Sequence, residues 1–266
     1  MASICADLSA EHAALDETVA VLDDDAWDRE TPAAGWAIRD QIGHLTYFDR
    51  TAAQSALDPV AFEAERDAAL TDLSAFEAAT LAPGRELSPA ALLTAWRAAR
   101  SDLLDALTPL DPASRLPWYG PPMAARSFAT ARLMETWAHG TDVRDALGLP
   151  PVVSDRLRHV AHIGVRARTF SYAVHGLEPP AEDVFVALDP PAGGDLWTWG
   201  APEATDQVRG AALDFCLAVT QRRVLDDVAL EITGDGARQW LSIAQAFAGP
   251  PTTTPPERQG VGAVRS

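Results

Sequence analysis

Residues 132–145 read RLMETWAHGTDVRD, with Glu135 and His139 four positions apart. Side chains at that spacing on a helix leave from one face, a turn apart. A carboxylate and an imidazole placed this way can reach a single divalent cation with little backbone strain. The spacing alone is weak, because an ordinary surface pair or a buried hydrogen bond satisfies it equally well. Position adds weight: Leu133, Met134, Trp137 and Ala138 make this a largely apolar helix, where an unpaired Glu–His pair is costly to bury. A third ligand has to come from another helix. His44, in GWAIRDQIGHL at 35–45, is the best candidate, since Ile42 and Leu45 mark its helix as core-forming. Two imidazoles and one carboxylate leave a coordination position open for water or substrate, as catalytic sites do and closed structural sites do not.

Around these two stretches the chain organises itself by apolar period and by breakers. Ile4, Leu8, Leu15, Val19 and Leu22 recur at helical spacing, and His12 shares their face. The loop TPAAGW at 31–36 precedes a second helix, predicted from Ile38 towards Leu57. Residues 61–79 read as a weaker helix, open to a break, that Pro83-Gly84 stops. Ser88-Pro89 is a cap followed by proline in the first turn, opening a helix over 89–108. A proline-rich loop carrying Trp118-Tyr119-Gly120 leads to the motif helix, predicted from Ser127 to Leu147 and ended by Gly148 and Pro150-Pro151. One long helix is expected from Ser154 to His175.

After Pro180 the period changes to two at Val184, Val186 and Leu188, with 196–200 as a partner strand. A helix at 205–221, a strand at 228–233 and a helix at 236–247 complete a β-β-α-β-α order. The fold class is therefore α+β. The expected domains are a helical bundle over 1–152, a bridging helix over 153–176, a small α+β domain over 177–248 and a flexible tail over 249–266.

The chain has 266 residues and a net charge of −17, and all 21 of its basic residues are Arg. Such acidity argues against nucleic acid and anionic membrane as partners, since both are bound by cationic side chains. Residues 1–80 hold 17 acidic side chains against 4 Arg, which reads as a solvated helical face, with a metal-concentrating or cation-steering surface as its alternative. Cys5 and Cys216 are far apart and form no CxxC pair, which suits a reducing cytoplasm. The first residues show no signal-peptide pattern, and no stretch approaches 18 uninterrupted apolar residues. A monomer or small homo-oligomer is expected.

The pairing of G-W-x-[IV]-R-D-x-[IV]-x-H-L at 35–45 with E-x-x-x-H-G-x-D at 135–142 resembles the DinB-like metal-binding four-helix bundle. More closely, it resembles the mycothiol-dependent maleylpyruvate isomerase family, in which such a bundle is followed by a small sterol-carrier-like α+β domain. The likeness spans nearly the whole chain and points to an uncharacterised branch, because the loop at 109–126 departs from the isomerase pattern. It implies that His44, Glu135 and His139 bind a divalent metal, Zn²⁺, and that Asp142 orients His139 or the following turn, with a solvent-facing role as its alternative. It also implies an Arg from the C-terminal domain near the active site, at Arg222 or Arg223. Mycothiol, or a similar small thiol, would be the cosubstrate, added to an electrophilic small molecule to give isomerisation or S-transfer. Trp118 and Tyr119, with Trp36, are the candidate substrate contacts. A second expectation keeps the metal and drops the thiol, as in a hydrolase or cyclase, with Fe²⁺ as a minor option for a two-His, one-carboxylate set. A third is a non-catalytic metal- or ligand-binding module. The remaining histidines weigh less: His12 could approach the metal, His159 and His162 lack an acidic partner in sequence, and His175 suits a helix end.

Overall fold

A computed structural model describes residues 1–252 as two compact units, Met1–Pro151 and Val152 onward. The tail expected over 249–266 lies, from residue 253, outside the described residues. The first unit is built on four helices: α1 (Ala2–Val19), α2 (Ile38–Leu57), α5 (Pro89–Leu107) and α6 (Ala125–Ala146). They pack in a closed ring, α1 on α6, α6 on α2, α2 on α5 and α5 on α1. Their shared core includes Leu15, Val19, Ile38, Ile42, Leu45, Leu92, Trp96 and Val143, apolar positions that recur on one face of each helix.

Helix α2 starts where the Asp40 carboxylate accepts the Ala37 backbone N–H at 2.9 Å, satisfying one of the orphan donors of a helix start. Helices α3 (Pro59–Ala69) and α4 (Leu73–Glu86) connect α2 to α5. The predicted weak helix is thus two, and Pro83-Gly84 does not stop the second one. Proline costs a helix its N–H bond, but here it falls in the last turn. Gly84 is needed for a different reason: a Cβ there would meet the Arg39 carbonyl oxygen at 2.3 Å, and one on Gly43 would meet the Gly84 nitrogen at 2.4 Å. The two glycines mark the point where α2 and α4 cross backbone to backbone. The loop at 109–126 is not wholly irregular either. Strands β1 (Arg115–Leu116) and β2 (Met123–Ala124) pair antiparallel and close a short loop that carries Trp118 and Tyr119.

The bundle core also holds charge. Arg132 of α6 donates from Nη2 and Nε to Asp49 Oδ1 of α2 at 2.7 and 3.1 Å, and Trp96 Nε1 donates to Asp49 Oδ2 at 3.3 Å. His12 is buried beside them, its Nε2 at 3.7 Å from Asp49 Oδ2 and its ring edge-on to Trp96. It lies against Asp49, outside the His44–Glu135–His139 group. Burial drives the His12 imidazole down to about 4, with Arg100 and Arg132 adding to that effect and Asp49 opposing it.

The second unit begins with two helices, α7 (Leu157–Arg166) and α8 (Arg168–Val174), in place of the one predicted from Ser154 to His175. The break falls at Ala167, whose φ −80°, ψ 0° departs from the helix. Both helices belong to the second unit rather than forming a separate bridge. Its sheet runs β4–β3–β5–β6, with β3 (Val184–Asp189), β4 (Trp197–Trp199), β5 (Asp206–Ala211) and β6 (Leu230–Thr233). Strands β3 and β5 are parallel and the other pairs antiparallel. The order of elements is β-β-β-α-β-α, because residues 206–211 form a strand where the sequence predicts the start of a helix. Helix α9 occupies only Ala212–Val219. Only Asp206 and Val208 of β5 are fully buried, so the strand offers too little apolar alternation to be read beside the apolar run of α9. Helix α10 (Asp235–Ile243) closes the unit, capped by Asp206, whose Oδ1 accepts from the Gly236 and Ala237 N–H groups. No helix among the described residues is long and apolar enough to cross a membrane.

Two outcomes follow from this packing. Gly84→Ala places a methyl group against backbone rather than a movable side chain, so it should cost about 1–3 kcal/mol or more, read as a lowered urea midpoint; an unchanged midpoint rules out the close crossing. His12 has a folded pKa below its unfolded value of about 6.5, so the unfolded state binds the extra proton first as pH falls. Stability should therefore be lost from pH 6.5 down to about 4, by up to about 3 kcal/mol. His12→Leu should remove that component, which denaturation at pH 7 and pH 4 would reveal.

Candidate functional site

Helices α2 and α6 run antiparallel and bring three donors together. One donor atom each from His44, Glu135 and His139 lies within 4.8 Å of the others, with His139 buried and the other two half-buried. His139 Nε2 is 3.3 Å from Glu135 Oε2, the pair one turn apart on α6. The two imidazole rings are 4.7 Å apart between centroids. Burial by itself would raise the Glu135 carboxyl. The His139 hydrogen bond and charge outweigh it, with Arg132 and His44 assisting, and hold the group at about 2. Glu135 is therefore a carboxylate at neutral pH.

The tautomer of His139 follows from a hydrogen-bond chain. The Thr31 hydroxyl donates to the Trp36 carbonyl at 2.9 Å, so its oxygen is left to accept from Gln41 Nε2, also at 2.9 Å. That orientation turns Gln41 Oε1, an acceptor only, towards His139 Nδ1 at 2.5 Å. His139 must then carry a proton on Nδ1, so Nε2 is the nitrogen that donates to Glu135 here and whose lone pair would face a cation once that proton is displaced. An outer hydrogen bond of this kind fixes ring orientation and raises ligand basicity. The donor set thus suits a divalent cation: an ionised carboxylate and an imidazole with a committed tautomer, with His44 opposite. Gln41 is fully buried, and sequence reasoning missed it. The available signal was its place three residues before His44 on the motif helix.

Trp36 reaches the site from the TPAAGW loop. The Thr31 N–H bonds back to the Trp36 carbonyl at 2.8 Å, a turn that Gly35 permits with φ +75°. The Trp36 ring stacks on His139 at 6.0 Å and 7° and lies 5.1 Å from His44. Trp118 and Tyr119 join through Phe48, which touches His44 at 4.6 Å, Trp118 at 6.0 Å and Tyr119 at 5.8 Å. Their loop is fastened by Ser55, donating to the Pro117 carbonyl at 2.6 Å, and by Arg66, donating to the Trp118 carbonyl at 3.1 Å. Asp142 is buried on α6, so it is not a solvent-facing residue. Arg222 and Arg223 lie in the second unit just past α9, after Gln221 with φ +58°. Arg222 Nη1 donates to the Thr220 carbonyl at 2.7 Å, and Arg223 Nη1 to the Arg222 carbonyl at 2.6 Å. His162 accepts from Trp199 Nε1, and His175 Nδ1 contacts the Ser171 carbonyl.

A four-helix bundle that gathers two imidazoles and a carboxylate across two of its helices defines the class: a helical bundle bearing a donor set fit for a divalent cation. The model of the mycothiol maleylpyruvate isomerase N-terminal domain matches residues 8–144, and the chain belongs to that family. Two uncharacterized proteins of Mycobacterium tuberculosis, from strains CDC 1551 / Oshkosh and ATCC 25618 / H37Rv, are each 48% identical to it over 246 residues, covering 92% of this chain and 95% of the relative. Crystal structures of the mycothiol-dependent maleylpyruvate isomerase and of a histidine-to-alanine mutant superpose with TM-scores of 0.55 and 0.54. They are 15% identical in sequence and cover 86% of this chain and 92% of theirs, a likeness of fold.

Gln41→Leu removes the acceptor for His139 Nδ1 while keeping the volume near that of the amide. Affinity for Zn²⁺ should fall about 10–100-fold in competition with a chromophoric chelator. Gln41→Glu, which keeps an acceptor at that position, should retain most of it. Equal affinities for the leucine variant and the wild type would show that the chain does not orient His139.

Proposed function

We propose that the protein is a metal-dependent enzyme that activates mycothiol, or a similar low-molecular-weight thiol, for addition to an electrophilic small molecule, with isomerisation or S-transfer as the outcome. The observation that carries this reading is the convergence of His44, Glu135 and His139 in a bundle of this family. A divalent cation bound there, Zn²⁺ for this donor set, supplies the Lewis acidity that keeps a thiol deprotonated at neutral pH, and the thiolate is the nucleophilic form.

The chain's own residues prepare the place. Glu135 contributes its negative charge without first losing a proton. Gln41 holds the His139 proton on Nδ1, away from the reacting side. Trp36, lying over both imidazoles, limits water on that side and contacts substrate, as do Trp118 and Tyr119. Asp142, one turn past His139, supports the motif helix. Arg222 and Arg223 are the two candidates for the arginine that the family resemblance implies.

For isomerisation the bond changes balance without an oxidant. The thiolate sulfur adds to one carbon of a cis double bond conjugated to a carbonyl, and the displaced electron pair moves onto the carbonyl oxygen as an enolate. Rotation about the new single bond follows. Collapse of the enolate re-forms the double bond in the trans arrangement and expels the thiolate. In S-transfer the enolate is protonated instead, and the C–S bond stays.

Metal analysis and mycothiol titration on wild type and Glu135→Ala test the reading. The wild type should hold about one divalent ion per chain and bind mycothiol, and the variant should lose both. A wild type that carries no stoichiometric metal, or a variant that binds the thiol unchanged, overturns it. Turnover that persists with no thiol present would favour the hydrolase or cyclase class instead.

A further inference from the structure

Beside the donor set lies a group of aromatic rings outside the bundle's apolar core cluster. Phe48, already in contact with the His44 ring, also meets Tyr47 at 5.1 Å and Phe76 at 6.4 Å, while Phe76 meets Tyr119 at 5.0 Å. Tyr47, Phe48, Phe76, Trp118 and Tyr119 are all half-buried, so each ring is packed on one side and keeps accessible area on another. They come from three separate places, α2, α4 and the loop between β1 and β2. A contiguous patch of partly exposed rings next to reactive groups is a feature of ligand sites rather than of packing.

The charge around these rings is equally informative. Arg66, whose guanidinium sits 5.8 Å from the Phe62 ring, is bonded to Asp67 and to the Trp118 carbonyl. Arg132 is bonded to Asp49 in the core. The Tyr119 proton is held more tightly than usual, first by burial and then by Tyr47 and the negative charge of Glu65. The wall thus offers mainly ring faces. A polyanionic substrate would find both the Arg66 and Arg132 guanidiniums already engaged with protein oxygens.

We infer that this aromatic wall is the seat of the electrophile, and that it selects substrates carrying a flat, uncharged aromatic or conjugated ring next to the reacting double bond. The inference rests on the thiol-activation reading for which end of the substrate reacts. Offset and edge-on ring contacts supply the recognition, because such pairs gain beyond their buried area. Phe76 is the residue that distinguishes a ligand wall from a scaffold, since it comes from α4, outside the four helices of the bundle.

The test uses the full-length protein as purified, without thiol. Two probes are titrated by calorimetry: 2-acetylnaphthalene, which is neutral, flat and lacks an isolated reactive double bond, and maleate, a small dianion. The ketone should bind and maleate should not. Phe76→Ala should weaken the ketone roughly tenfold, and Phe76→Tyr should restore it. Maleate binding as tightly as the ketone, or an unchanged ketone affinity in Phe76→Ala, overturns the inference. So does a Phe76→Ala variant that loses mycothiol binding while keeping the ketone, because the wall would then seat the thiol. Metal content and mycothiol binding of the wild type are measured separately. Their absence would sink the thiol-activation reading, whereas the ketone titration still judges the wall.

Discussion

The register of α2 against α6 is the constraint on which the rest depends, and two buried polar ties set it. Arg132 meets Asp49 at one level, and His139 meets Gln41 at the other. Eight residues separate the ties on α2 and seven on α6, so both spans are close to two helical turns, about 10–12 Å. His44 falls between them, opposite the turn that holds Glu135 and His139. A slip of either helix by one residue would rotate its donor by about 100° and break both ties together. Apolar contacts tolerate small slips far better, since they are non-directional. A buried ion pair is a poor source of net stability, because desolvation offsets its attraction. Its value here is in excluding alternative registers, and the donor set inherits that specificity.

The same logic explains how irregular segments acquire fixed positions. The TPAAGW loop has little to bury, yet Thr31 closes it onto the Trp36 carbonyl and at the same time accepts from Gln41. One hydroxyl therefore couples the position of a stacking ring to the tautomer of a ligand candidate. On the far side, Ser55 and Arg66 hold the carbonyls of Pro117 and Trp118, and Phe62 stacks on Trp118 at 5.7 Å and 4°. These anchors come from α2 and α3, so the aromatic wall is tied to the same helix that presents His44.

Much of this was legible in the sequence, and the division follows from the range of each signal. Helices α1, α2, α5 and α6 carry apolar residues at helical period, and the E-x-x-x-H spacing shows which face of α6 bears the donors. His44 could be named because its motif and its apolar neighbours coincide. Pro83-Gly84 misled because a local rule, proline and glycine as breakers, competed with a long-range need for Gly84 to admit the α2 backbone. Strand β5 was hidden because its pairing with β3 and β6 stabilises a segment with almost no alternation of its own. Gln41 was missed for a related reason: its place three residues before His44 gains meaning only when the acceptor and donor that flank the amide are known.

The lopsided charge takes on a physical sense once the helices are assembled. Three of the acidic residues in 1–80 that are at least partly buried are met by arginines from later in the chain. Asp16 of α1 is held by Arg97 through Nε and Nη2 and also by Arg100, both from α5. Asp40 of α2 is held by Arg85 of α4, and Asp49 by Arg132 of α6. The partly exposed pairs of Asp16 and Asp40 contribute little energy individually. Their pattern nevertheless opposes acidic early helices to arginine-bearing later ones, so incorrect pairings would place like charges together. Arginine suits this role better than lysine, because its planar fork bonds a carboxylate at a set angle. The carboxylate proposed for the metal stands apart from that scheme. Glu135 belongs to the arginine-bearing half, and its nearest partners are imidazoles rather than guanidiniums. A carboxylate committed to a bidentate arginine has its charge already matched and half of its lone-pair sites in use, so separation from the pairing network leaves Glu135 the better placed to serve as a ligand.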